Sequence, residues 1–116
     1  MTIALVIVAS LLGVAAVASG LGKLTKKPAV VEQLTGLGVS VSAIPVLGLI
    51  EIAGAIGLIV GIWVAPLGSA AAIGFVLYFL GAVLAHVRHH DKVKDLAPAA
   101  ILFLVSIATM LLEFHR

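Results

Sequence analysis

The sequence contains no cysteine, which excludes a disulfide framework, a thiolate nucleophile and a thiol redox centre on this chain. Charge is nearly as scarce. Ionisable Asp, Glu, Lys and Arg make up 10% of the 116 residues, against about 25% in soluble domains. Seven basic and five acidic side chains cannot clothe a domain of this size in polar atoms. A soluble enzyme, a secreted toxin and a disordered chain are thereby set aside. A net charge of +2 spread over so few residues offers no basic surface for nucleic acid, so no nucleic-acid partner is expected. Phosphate-binding loops of the strand–Gly-rich–helix kind are also missing, because the glycines lie within apolar runs.

What fills the space is apolar. Residues of the hydrophobic set reach 63% and the mean hydropathy is +1.33, which identifies a membrane protein. The charges divide the chain. Met1 to Gly22 carries none, Ile52 to Val87 carries none, and Leu96 to Leu112 carries none. A hydrocarbon core of about 30 Å needs roughly 20 helical residues, and the runs fit spans at about 2–22, 44–64, 67–87 and 96–112. The sequence therefore predicts an all-α fold. It is a transmembrane four-helix bundle forming one four-span domain over residues 1–116. Helices are preferred to a barrel because the runs are apolar on all sides, whereas barrel strands alternate.

Punctuation agrees with this division. Pro45, Pro66 and Pro98 fall in the first turns of the proposed spans, where a missing N–H costs little. Ser42 and Asp95 are the expected N-caps of the second and fourth. The first run has no Lys or Arg before its apolar stretch, as an export signal would, so it is read as a retained span. Between the first two spans, Pro28 opens a segment with Val30, Val31, Leu34 and Leu37 at helical spacing, closed by Gly36 and Gly38. A short amphipathic interfacial helix is expected there.

Orientation follows from the basic residues. Lys23, Lys26, Lys27, Arg88, Lys92 and Lys94 fall on one side and Arg116 alone on the other. The positive-inside rule places loops 23–43 and 88–95 in the cytoplasm of a bacterial-type cell (inner) membrane, with both termini outside. Trp63 then lies at the outer interface. Small residues recur at Ala53, Gly57 and Gly61 with Gly54 beside them, and at Ala70, Gly74 and Gly81. These are expected to let helices approach closely within the bundle, a homodimer seam being the alternative.

A few polar groups stand out. Glu51 lies about two turns, roughly 10 Å, inside the second span. A carboxyl group there must be paired, protonated or turned to a polar cavity. Lys23 and His86 reach the same membrane side, and Tyr78 lies deeper in the third span. One polar pocket built from Lys23, Glu51, Tyr78 and His86 is expected. Its role is either to hold a quinone, proton or lipophilic substrate, or to fix helix register by a buried pair. Glu51 and His86 are the candidates for acid and base should the chain be catalytic. His86, His89 and His90 stand at i, i+3 and i+4, a spacing that can hold a metal, but a solvated helix end is the preferred reading and no metal is expected.

At these residues the chain resembles the DoxX-like family of small four-span membrane proteins. The resemblance is carried by Ala18-Ser19-Gly20-Leu21-Gly22-Lys23-Leu24-Thr25, Leu37-Gly38-Val39-Ser40, Leu49-Ile50-Glu51-Ile52-Ala53-Gly54-Ala55-Ile56-Gly57-Leu58 and Ala85-His86-Val87-Arg88. The family takes its name from a membrane subunit of a thiosulfate:quinone oxidoreductase. The resemblance implies an accessory membrane subunit, oxidoreductase-associated, engaged with quinone or other lipophilic molecules. No covalent cofactor is expected, and a quinone or other lipophile is the ligand class. Expected partners are the lipid bilayer and either membrane redox subunits or a second copy. The alternatives are a small membrane enzyme acting on a lipophilic substrate through Glu51 and His86, and a proton-coupled carrier acting as a dimer. Without cysteine, sulfur chemistry does not reside on this chain.

Overall fold

The structure is a computed structural model that describes residues 3–89 and 93–116. Five α-helices account for most of these residues: α1 (Ile3–Leu24), α2 (Pro28–Gly36), α3 (Ile44–Val60), α4 (Ala65–Arg88) and α5 (Val93–Phe114), with a single 3-10 turn, Val41–Ala43, leading into α3. Four stretches, Ile3–Leu24, Val41–Val60, Ala65–Arg88 and Val93–Phe114, are long and apolar enough to cross a membrane. The chain is a multi-pass membrane protein with a short helix after its first span.

The long helices form a closed ring in which α1 packs on α3, α3 on α4, α4 on α5 and α5 back on α1. Burial on α1 follows one stripe, Leu5, Ala9, Leu12, Ala16 and Gly20, at the three- and four-residue intervals that keep side chains on one helix face. Leu12, Ala16, Ala55, Leu58, Ala72, Phe75 and Phe79 fill the centre. Phe75 and Phe79 are stacked at 5.8 Å, and Tyr78 meets Phe79 edge-on at 5.2 Å.

Close approach is concentrated at two crossings. A methyl group added at Gly48 would lie 2.7 Å from the Gly20 carbonyl oxygen, and one at Gly20 would lie 2.8 Å from that of Gly48. At the other end of the bundle, a methyl at Gly61 would fall 2.3 Å from the Gly68 Cα. Gly61 was expected in such a role; Gly20, Gly48 and Gly68 were not. Gly74 and Gly81 do not pack as their spacing suggested, for nothing lies within 4 Å of a methyl added at either.

The span boundaries also shift. α3 ends at Val60, and Gly61 to Trp63 form the turn that delivers the chain to α4. Trp63 is 76% exposed there. Ser42 does not cap α3, whose N-cap is Ala43; its hydroxyl lies 3.3 Å from that of Ser40 instead. Asp95 is in the first turn of α5 rather than before it, and Pro98 is inside the helix. Helical backbone continues N-terminal to the proline, whose ring removes only the N–H that would have bonded Lys94. The fourth span is thus 22 residues long, not short. The anticipated helix after Pro28 is present, and Gly38 follows it with φ +86, a conformation that costs glycine little.

Candidate functional site

Ser19 and Lys23 are one helical turn apart on α1, hence on one face. Lys23 Nζ donates to Ser19 Oγ at 2.7 Å and to Glu51 Oε1. Ser19 donates to the same Glu51 oxygen at 3.1 Å, and the Tyr78 hydroxyl from α4 donates to it at 3.0 Å. Three donors from two helices therefore converge on one carboxylate oxygen of a third. The ion pair is buried, with the Glu51 side chain fully enclosed and that of Lys23 12% exposed. Glu51 Oε2 is buried and has no hydrogen-bond partner among the described residues.

Beside this cluster lies a cavity of about 370 Å³, within the range of small-molecule sites. Lys23, Ser19, Tyr78 and His86 lie along it with Asp95, and Leu47, Phe79, Pro98 and Leu102 supply apolar wall. α2 and the segment after it cover the cavity with Gln33, Leu34, Leu37 and Val39. Gly81 also lines the cavity, which accounts for the open space at that glycine. Glu51 is not on the wall; it stands behind Lys23 and Tyr78.

Of the four residues expected to share a pocket, Lys23, Tyr78 and His86 face the cavity, and Glu51 joins Lys23 and Tyr78 by direct bonds. His86 is buried on α4. His89 is exposed and its Nδ1 lies 2.9 Å from the Ala85 carbonyl oxygen. His90, and with it Asp91 and Lys92, lies outside the described residues. Among the described residues no group of His, Asp or Glu side chains is arranged to hold a metal ion.

Two contributors were not anticipated. Ser19 is not among the four residues expected in the pocket, although its position one turn before Lys23 places it on the same helix face. The other is a second buried ion pair at the far end of the bundle. Glu113 is 3% exposed, and its Oε2 accepts from Arg116 at 2.9 Å. Arg116 also donates to the carbonyl oxygens of Gly61 at 2.8 Å and Ile62 at 2.9 Å. The Glu113 carboxylate rests against Gly68, where a methyl would come within 2.6 Å of it. Negative charge thus meets the N-terminal turn of α4 and positive charge meets the C-terminal carbonyls of α3, each matching its helix dipole. Glu113 continues a buried stripe with Ser106 and Thr109 on α5, a spacing that could have revealed it.

No curated protein and no solved structure matches the chain. The profile of the DoxX-like family matches residues 7–109. This four-span chain, with its carboxylate buried behind a cavity-facing lysine, belongs to the DoxX-like family.

Proposed function

We propose that the protein is an accessory membrane component that holds a lipophilic small molecule in the cavity beneath α2. The observation that carries this reading is the union of a partly open, largely apolar volume of about 370 Å³ with hydrogen-bonding groups gathered at its side. Such a volume favours an apolar body, while Lys23, whose ammonium keeps one N–H beyond those given to Ser19 and Glu51, can donate to an acceptor head. Quinones are the first class to test, since a quinone joins an apolar body to a carbonyl oxygen that can accept from Lys23. The redox partner and the inner-membrane location belong to the same proposal.

Glu51 acts in this reading as the anchor of the donors. It orients Lys23 and Tyr78 by accepting from both, so a catalytic role would require Glu51 to act through them.

The test fills the cavity. Ala82 lines it, and Ala82→Trp places an indole in the space where the lipophile would lie. Purified protein should retain a short-chain quinone analogue in native mass spectrometry, and the variant should lose it at an unchanged melting temperature. Equal retention by both proteins would overturn the assignment of the site.

A further inference from the structure

A second, smaller cavity of about 180 Å³ lies on the other side of Lys23, between α1 and α2. Ser19, Lys23, Gln33 and Leu34 line both spaces, so the two are compartments of one gap running under α2. They differ in chemistry. The inner compartment is walled chiefly by aliphatic and aromatic groups. The outer one adds Lys27 and the buried backbone of Gly22. Lys23 is already matched by Glu51, whereas among the described residues no carboxylate pairs with Lys27. The outer compartment therefore carries the exposed, unpaired ammonium of Lys27 at its mouth, while Asp95, the one carboxylate on the cavity wall among the described residues, lines the inner compartment.

From this we infer that the gap is built for an acidic amphiphile. An apolar tail fills the inner compartment, and an anionic head, carboxylate or phosphate, sits in the outer one against Lys27 and Gln33. The inference rests on the lipophile reading above and narrows it, because a neutral head gains nothing from Lys27. Charge complementarity supplies the selectivity: an anion meets Lys27 without displacing Glu51 from Lys23. The bound molecule passes Lys23, whose ammonium then bridges the buried carboxylate and the head.

Native mass spectrometry and competitive titration in neutral detergent decide it, with four probes. These are oleate, phosphatidylglycerol, oleyl alcohol as the uncharged equal-chain control, and a short-chain quinone analogue. Oleate or phosphatidylglycerol should bind more tightly than oleyl alcohol, and whichever of the two is preferred identifies a free acid or a bilayer lipid as the source. Lys27→Gln should weaken that acidic probe about fivefold, the scale of one partly solvated ion pair, and leave oleyl alcohol unchanged. Lys26→Gln, one residue away but outside both compartments, should have no effect. Equal affinity for oleate and oleyl alcohol, or equal losses from Lys26→Gln and Lys27→Gln, overturns the acidic-head inference. Under either result, binding of the quinone analogue or oleyl alcohol that Ala82→Trp abolishes leaves the lipophile reading standing. If none of the four probes binds, both readings fall.

Discussion

Ser19, Lys23, Glu51 and Tyr78 form a unit in which each side chain has its geometry set by another. Removing one partner of a buried pair leaves the other charge without compensation, which costs about 3–5 kcal/mol. Glu51→Gln and Lys23→Met should therefore each lower the melting temperature in detergent. The double variant should be less destabilised than the sum of the two, with a coupling of about 1–3 kcal/mol. Additive losses in that cycle would mean that the two residues do not act as a pair. Much of this unit is legible in the sequence, since an acid inside an apolar run demands a partner and Lys23 is at the same end. Glu113 was not legible on those terms. It lies a few residues from Arg116 beyond an apolar run, where a charged pair is ordinarily solvated, and only the fold brings the α3–α4 turn over it.

Helix crossings explain which glycines matter at the scale of elements. Gly48→Ala would drive its methyl into the Gly20 carbonyl oxygen, a backbone atom that cannot swing aside, with Lys23 Cβ at 3.0 Å and Leu24 Cγ at 3.3 Å beside it. A loss of about 1–3 kcal/mol is expected. Gly74→Ala, with open space around it, should be neutral or gain up to about 1 kcal/mol from helix propensity. Detergent melts of the two variants check this, and equal losses would contradict the crossing geometry. The sequence pattern identified small residues as packing sites but could not rank them. A four-residue spacing states which residues share a face, not whether another helix lies against that face. Gly57 and Gly13 illustrate the point. Added methyls there would come 3.1 Å from Ala71 and 3.3 Å from Ile59, so the two positions are nearly alike despite different sequence surroundings. The boundaries of α5 were hidden for a similar reason, because Pro98 and Asp95 read equally well as helix starts and as early helix interior.

For the whole molecule, the four spans follow directly from hydrophobic run length and from the spacing of charged breaks, whereas the order in which they close into a ring is set by packing. Residues 26 and 116 lie at opposite ends of the bundle, because α1 ends beside the start of α3, and α5 ends beside the turn that follows α3. The absence of native cysteine makes labelling clean. Lys26→Cys should react with an impermeant maleimide only after the inner leaflet is opened, and a cysteine at position 116 should react from outside. Reversal of both results would invert the positive-inside assignment. A polar pocket at Lys23, Tyr78 and His86 was legible, but the size of the cavity and its α2 cover were not, since the volume is set by how α2 lies across the bundle. No pattern of residues on α2 alone states what it covers.

The Arg116 clasp has a mechanical consequence. One guanidinium ties the last residue of the chain to the α3–α4 turn, while its carboxylate partner leans on the opening of α4. Three spans are thereby knotted at a single end, and the opposite end is bridged by the short α2, which buries none of its residues. The bundle is thus fastened at both ends, by the Arg116 clasp at one and by the Gly20–Gly48 crossing with the Glu51 cluster at the other, and only α2 lies outside these fastenings. A guest of larger girth would therefore be accommodated at the expense of α2, with the spans on either side left in place.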